Sequence, residues 1–349
     1  MLQIKRPSIV DVAELAKVSK QTVSRVINES PNVSEKTRQR VLQAIEALGF
    51  RRSELARNFS QGRTHSLGVV GRDLNYFGTR TYIGIARQAE ALGYSLLLKE
   101  LPESGIEQIE PMLNALLDRH VDGILWAVPE IADNHAWLDS GLLARIPVPM
   151  VFLSMAPRQE ATVVAYDNFA GGELATRYLL DCGRKHIGHI AGPQEWWDAS
   201  ERQRGWETTL QQAGMKVLPE HVAMGNWDAA SGEAAFHRLL ASYPALDAVF
   251  VANDKMALGV LLAAHEKGLR IPEDLAVIGF DDITESAYFH PPLTTIFQDK
   301  AALGQQAVKT LAHRIEQKFQ PAVQHVLEST PLTHQLIVRK TTPAGVIKT

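Results

Sequence analysis

Beyond Arg63 the chain alternates between short apolar runs and longer segments with helical periodicity. The runs are SLGVVG, YSLLL, GILWAV and VPMVFL, then a second series of HIGHIAG, DAVFVAN and LAVIGF. Strands that alternate with helices form parallel sheets covered by helices. Each series is long enough for one such sheet, so we expect an α/β body of two doubly wound parallel-sheet lobes.

The first 50 residues show a different pattern, that of three short helices. The first is expected from Asp11 to Ala16, the second after an N-cap at Ser19, and the third from Ser34 to Gly49. Their apolar faces are formed by Val12, Leu15, Ala16, Val23, Val26, Ile27, Val41, Leu42, Ile45 and Leu48. The tight break between the first two helices is typical of a helix-turn-helix. We therefore predict a small all-α domain over residues 1–50 and a polar hinge segment over 51–62.

The charge distribution sets this N-terminal region apart. Residues 1–63 carry 12 basic and 6 acidic side chains, whereas the rest of the chain carries 24 and 33. A basic region on an acidic body favours contact with a polyanion. No apolar run suits a signal peptide or a membrane span, and Cys182 is the only cysteine. These features indicate a cytoplasmic protein without a disulfide or a membrane partner.

The outer face of the second helix has the chemistry of a DNA reader. Lys20, Gln21 and Arg25 lie on it, and no acidic residue occurs between Ser19 and Asn28. Lys and Arg can donate to guanine, and Gln can pair with adenine, so we predict that these three side chains contact bases. Short polar side chains suited to phosphate oxygens are predicted at Ser8, Ser24, Asn28, Ser34 and Thr37.

The stretch DVAELAKVSKQTVSRVIN with VSEKTRQRV resembles the DNA-binding signature of the lactose repressor/galactose repressor (LacI/GalR) family of bacterial regulators. The body supports the resemblance with DNFAGG, RQRGW, VANDKMALG, VIGFDD and PPLTTIFQD, and residues 227–304 are most similar to the lactose-repressor branch. The resemblance implies a transcription regulator that binds a pseudo-palindromic operator as a homodimer under control of a small molecule. It also implies a periplasmic-binding-protein-like body over 63–341, with lobe one at about 63–165 and 297–327 and lobe two at about 166–296 and 328–341.

The resemblance also implies roles for individual residues. Ala56, Arg57 and Phe59 correspond to the hinge positions that enter the minor groove. Residues at or near the family's effector positions are Arg72, Tyr76, Tyr82, Trp126, Trp196, Trp197, Asp198, Arg202, Trp227, Asn253, Asp281 and Gln298. The chain departs from the family at Lys17, where glycine is common in the turn, and it has no C-terminal leucine heptad, so a tetramer is not expected.

Local sequence supports a ligand site at the ends of the body's strands. Asp281 and Asp282 follow LAVIGF, and Asn253 and Asp254 follow DAVFVA. Ligands of doubly wound sheets bind at the carboxyl ends of the strands, although one of each pair could instead cap a helix. A carboxylate, a guanidinium, an amide and an indole suit a sugar, with a purine as the alternative. The likeness near Trp227 favours a galactoside.

The sequence argues against two other classes of protein, an enzyme and a periplasmic sugar-binding protein. HIGH at residues 186–189 matches a motif of class I aminoacyl-tRNA synthetases, but here it enters a strand rather than a helix. Local sequence supports no catalytic triad, phosphate-binding loop or metal-ligand spacing, so we predict no catalysis, cofactor or metal. The basic N-terminal region argues against a periplasmic sugar-binding protein. The expectation is a DNA-binding repressor, located at the bacterial nucleoid when bound.

Overall fold

The computed structural model describes residues 7–27, 30–50, 63–72, 79–101, 106–319 and 332–343. The chain divides into two compact units, Met1–Thr64 and His65–Thr349. We call them the N-terminal unit and the body. In the described part of the chain no helix is both long and apolar enough to cross a membrane.

The N-terminal unit consists of α1 (Ile9–Leu15), α2 (Lys20–Ile27) and α3 (Glu35–Leu48) around a core that includes Val12, Val23 and Val41. Side chains cap the helices as predicted: Ser19 Oγ accepts from Thr22 N at 3.1 Å, and Ser34 Oγ accepts from Thr37 N at 3.4 Å. The turn between α1 and α2 holds Lys17 at φ 51°. A left-handed lysine costs about 1–2 kcal/mol, which explains why glycine suits this turn.

The prediction that Leu15 and Leu42 lie in the core of this unit is wrong. Leu15 is 52% exposed and Leu42 is 45% exposed. Val41 and Ala44 are buried and Ile45 and Leu48 are partly buried, because positions three, four and seven apart share one helix face whereas Leu42 lies about 100° away from Val41.

The body begins with a five-stranded parallel sheet in the order β2-β1-β3-β4-β5. Its elements in chain order are β1 (Ser66–Gly71), α4 (Thr79–Ala91), β2 (Ser95–Glu100), α5 (Ile109–Leu117), β3 (Gly123–Ala127), α6 (Leu142–Arg145), β4 (Met150–Leu153) and β5 (Thr162–Val164). Apolar side chains pack on both faces of the sheet, as the continuous apolar runs predict.

The second sheet has the order β11-β10-β9-β8-β6-β7. Its elements, with the helix that returns to the first sheet, are α7 (Asn168–Asp181), β6 (Ile187–Ala191), α8 (Trp197–Gln212), β7 (Val222–Met224), α9 (Ala229–Ser242), β8 (Ala248–Val251), α10 (Asp254–Glu266), β9 (Ala276–Asp281), β10 (Thr294–Phe297), α11 (Lys300–Phe319) and β11 (Gln335–Ile337). Strand β11 pairs antiparallel with β10, which corrects the expectation of a wholly parallel sheet. Strand β11 has only three residues, too few to show a periodic pattern.

The chain passes between the two lobes more than once, since α11 follows β10 of the second sheet yet packs on β3 and β4 of the first. The HIGH segment enters β6 as predicted, since all of it but His186 lies in the strand. There His189 is fully buried between the rings of Trp206 and Phe250. Burial lowers the pKa of His189 to about 3, so this imidazole is a neutral core residue.

Candidate DNA-binding and effector-binding sites

Helix α2 separates its buried and exposed faces cleanly. Val23 and Val26 are buried against the core, whereas Lys20, Gln21 and Arg25 are exposed. The first two lie in the first turn of α2 and the third lies one turn later. The polar face predicted to contact bases is therefore accessible along its whole length.

Three of the five predicted phosphate contacts, Ser8, Ser34 and Thr37, lie at helix N-termini. Ser8 caps α1 in a capping box with Asp11, and Ser34 caps α3. Thr37 lies in the first turn of α3 and Ser24 in the middle of α2. A helix N-terminus is favourable for a phosphate because its amide groups point outward. Asn28, the hinge residues Ala56, Arg57 and Phe59, and Tyr76 of the first lobe lie outside the described residues.

In the body, the lobes meet where the strands of both sheets end. Ala132 N donates to Glu195 O at 2.7 Å and Trp197 N donates to Glu130 O at 3.1 Å. Arg80 Nη2 also donates to Thr284 Oγ1 at 2.6 Å. These hydrogen bonds join the loop after β3 to the start of α8, and α4 to the segment after β9. They hold the two walls of the cleft together in this conformation.

Arg202 is the central cation of the second lobe's wall. It is only 4% exposed, and it lies in the second turn of α8. Its Nε donates to Asn168 Oδ1 at 2.8 Å and its Nη1 donates to Ala252 O at 2.6 Å. The guanidinium carbon lies 3.8 Å from the centroid of the Phe280 ring. Among the described residues, Nη2 has no hydrogen-bond partner.

Asn168 connects the predicted residues but was missed in the sequence. Its Nδ2 donates to Asp198 Oδ1 at 2.9 Å, while its Oδ1 accepts from Arg202 and, at 3.3 Å, from Gln298 Nε2. The signal available was DNFAGG, in which Asn168 follows the N-cap Asp167. One buried amide therefore brings Asp198, Arg202 and Gln298 together.

Two carboxylates complete the polar wall. Burial raises the pKa of Asp198 to about 6, and the charges of Arg202 and Lys300 oppose this rise. Asp281 ends β9 with φ 104°, a left-handed backbone that an aspartate rarely adopts, and its Oδ1 lies 3.2 Å from Lys300 Nζ. Neither Asp281 nor Asp282 caps a helix, and Asp282 instead pairs with Arg339 at 2.7 Å.

The aromatic part of the site is a pair of indoles. The rings of Trp196 and Trp227 lie 6.0 Å apart at 81°. Trp227 has φ 67°, and its ring lies against Gly192, where any Cβ would collide with it. Asn253 stabilises the backbone of Trp227, since its Nδ2 donates to Trp227 O at 3.0 Å. Asn253 rather than Asp254 is the N-cap of α10, so its Oδ1 is engaged with Met256 N.

The predicted effector residues of the first lobe differ in their exposure. Arg72 follows β1 and is half-buried, and the half-buried Tyr82 packs its hydroxyl against Gly71. Trp126 requires a correction. It is 0% exposed, and its Nε1 donates to His135 Nε2 at 3.0 Å. Its ring packs on Trp137 and Phe152 in the lobe-one core, so in this conformation Trp126 presents no surface to a ligand.

Comparisons with known proteins identify the family of the chain. The family model of bacterial regulatory proteins of the lacI family matches residues 8–53, and that of the periplasmic binding protein-like domain matches residues 176–342. The HTH-type transcriptional repressor PurR of Pasteurella multocida (strain Pm70) is 38% identical over 337 residues, which cover 95% of this chain and 98% of that protein. The chain belongs to the LacI family. PurR of Haemophilus influenzae (strain PittEE) is 36% identical over 335 residues, with the same coverage of both chains.

Solved LacI-family structures have the same architecture. The lac repressor dimer bound to operator and the anti-inducer ONPF is 32% identical, with a TM-score of 0.83 over 97% of this chain and 99% of that chain. The complex of the transcriptional regulator CelR with cellobiose is also 32% identical, with a TM-score of 0.68 over 96% of this chain and 100% of that one. The predicted family, fold class and regulatory function are confirmed: the chain is a DNA-binding transcriptional repressor controlled by a small molecule.

Proposed function

We propose that this LacI-family repressor responds to a carbohydrate bound between the lobes of its body. The supporting observation is that a hydrogen-bond donor and an acceptor without partners lie in the same site as two indoles. Arg202 Nη2 and Asp198 Oδ2 have no hydrogen-bond partner among the described residues, and Asn168 holds their side chains together. A sugar hydroxyl accepts from a guanidinium and donates to a carboxylate, while the C–H face of the ring lies on an indole.

A purine is the second candidate, because the relatives named PurR favour it. A purine ring would stack on Trp227, its ring nitrogens would accept from Arg202, and an exocyclic amine would donate to Asp198. The two candidates use the same wall of the site and differ in how many of its polar groups they occupy. A sugar engages the carboxylates of both Asp198 and Asp281, whereas a planar base leaves more of them solvated.

Titration of the intrinsic tryptophan fluorescence separates the two candidates. We expect a saturable change with a galactoside or a glucoside and none with hypoxanthine, guanine or adenine. Trp227→Phe should remove most of the change, whereas Trp137→Phe, in the lobe-one core, should preserve it. Saturable binding of a purine with no response to any sugar would overturn the carbohydrate proposal. The identification of the chain as a repressor would be unaffected.

We also propose that α2 enters the major groove of a pseudo-palindromic operator, one copy for each subunit of a homodimer. The exposed residues Lys20, Gln21 and Arg25 would contact bases, and Ser8, Ser24, Asn28, Ser34 and Thr37 would contact the phosphate backbone. Ala56, Arg57 and Phe59 would enter the central minor groove, with Phe59 as the apolar wedge. Because its target is genomic DNA, the repressor would act in the bacterial cytoplasm, at the nucleoid.

Gln21→Ala should weaken binding to the preferred operator by about 1–3 kcal/mol and relax the preference at one base pair of each half-site. Gln21 is exposed, so its removal leaves the core of the N-terminal unit unchanged. Binding over a library of randomised half-sites measures both effects. Ser24→Ala is the matched control on the same helix and should weaken all sequences alike. A Gln21→Ala profile identical to that of the wild type would show that Gln21 does not read a base.

A further inference from the structure

Three potential metal ligands converge on the second lobe, on residues that the effector site does not use. Glu233 and His237 lie one turn apart on α9, and Glu266 is the last residue of α10. One ligand atom from each side chain lies within 4.8 Å of the other two. Glu233 and His237 are half-buried and Glu266 is exposed, so an ion from solvent can reach the cluster.

The two helices hold these positions rigidly. A Cβ at Gly232 would collide with the backbone of Met256, and a Cβ at Gly259 would collide with the backbone of Ala229. Helices α9 and α10 therefore pack backbone against backbone, which leaves their spacing little freedom. Only the side-chain torsions of Glu233, His237 and Glu266 need to change for the three groups to share one ion.

The charges of the cluster are uncompensated. In the described part of the chain, none of the three side chains has a hydrogen bond or an ion pair. Two carboxylates beside an unpaired imidazole repel each other, and a bound cation removes that repulsion. An imidazole together with carboxylate oxygens is a ligand set of Zn²⁺ and similar transition metals, whereas Ca²⁺ and Mg²⁺ prefer oxygen alone.

We propose that Glu233, His237 and Glu266 bind a divalent transition-metal ion such as Zn²⁺, with water at the remaining position. Bonds of about 2.0–2.2 Å place neighbouring tetrahedral ligands roughly 3.4 Å apart, so ligand atoms within 4.8 Å of one another must close by at most about 1.4 Å. Sequence spacing did not identify this site, because the third ligand comes from another helix. The ion would link α9 to α10, which begin next to Trp227 and Asn253 respectively.

Isothermal titration of the metal-free full-length protein with Zn²⁺ tests the proposal. We expect one saturable site per chain and a melting temperature that rises with the concentration of free Zn²⁺, because the ion binds only the folded state. His237→Ala and Glu233→Gln should each lower the affinity at least about tenfold, the loss that follows even from removing an outer-sphere partner. Both variants should melt like the wild type in EDTA.

His265→Ala is the matched control, since His265 is an exposed histidine adjacent to Glu266 on α10. It should bind Zn²⁺ with wild-type affinity. The proposal is overturned if the wild type shows no saturable binding, or if affinity and stoichiometry are unchanged in both His237→Ala and Glu233→Gln. The effector's chemical class does not enter this test, so its outcome is independent of the proposed function.

Discussion

Arg202→Ala should abolish the response to the effector while operator binding in its absence remains. The guanidinium donates to the amide of Asn168, and in the proposed complex its Nη2 would donate to the ligand. Hydrogen bonds to a charged group contribute about 1.5–3 kcal/mol each, so the loss of one lowers effector affinity by roughly 10- to 150-fold. The N-terminal unit has its own core and should still bind DNA. Mobility shift of operator DNA, with and without the ligand that binds the wild type, measures the response.

The same substitution also lowers the stability of the body. Asn168 Oδ1 retains only the 3.3 Å bond from Gln298, and Ala252 O loses the Arg202 hydrogen bond at a buried position. Each group left without a partner costs about 1–3 kcal/mol. A fold with several buried clusters should tolerate this loss, and a thermal melt of Arg202→Ala verifies that it is folded.

Arg204→Ala is the matched control for Arg202→Ala. Arg204 lies on the same helix two residues later, but its side chain is 62% exposed and pairs with Glu201. An exposed ion pair contributes at most about 1 kcal/mol, so both the melting temperature and the effector response should stay near those of the wild type. An unchanged effector response in folded Arg202→Ala would show that Arg202 does not bind the effector.

Asp254→Ala should destabilise the body by about 2–5 kcal/mol, because two donors lose their acceptor at a buried position. Thr295 Oγ1 donates to Asp254 Oδ1 at 2.6 Å and Ile283 N donates to Oδ2 at 2.9 Å. The Ile283 hydrogen bond holds the turn that places Asp281 at φ 104°. We therefore expect effector affinity to fall together with stability. Denaturant unfolding and the fluorescence titration measure the two effects.

The pH dependence of unfolding reports on the same carboxyl group. Burial raises the pKa of Asp254 to about 8, and the charges of Asp281 and Asp282 add to the rise. Between about pH 4, where an unfolded aspartate titrates, and about pH 8, the folded protein retains a proton that the unfolded chain has lost. The contribution of Asp254 to the free energy of unfolding is therefore largest below about pH 4. It falls as the pH rises from about 4 to about 8.

Asp254→Asn is the control that separates the hydrogen bonds from the charge. Its amide nitrogen can donate to Thr295 Oγ1, whose hydroxyl then acts as the acceptor, and its amide oxygen can accept from Ile283 N. It should keep most of the stability that Asp254→Ala loses and should flatten the pH dependence between pH 4 and 8. The interpretation fails if Asp254→Ala unfolds within about 1 kcal/mol of the wild type, the ordinary effect of a single substitution.

Sequence reasoning identified those parts of the site that are adjacent in the chain. The polar face of α2, its cap at Ser19 and the burial of Val23 and Val26 all depend on contacts within one helical turn or between neighbouring helices. The position of Asp281 at a strand end likewise follows from an apolar run that stops. Asn168 was missed because its importance comes from Arg202 and Gln298, 34 and 130 residues away along the chain.

Residue type and spacing determined by themselves that this chain is an α/β body with a helix-turn-helix unit, because periodicity and caps are local properties. Only the tertiary structure decided which side chains are accessible. It placed Trp126 in the lobe-one core, which the sequence could not distinguish from the cleft. It also showed that Asn253 Oδ1 caps a helix by accepting from Met256 N. It also brought Glu266 to Glu233 and His237. These outcomes depend on how helices and sheets pack at long range, which no local pattern records.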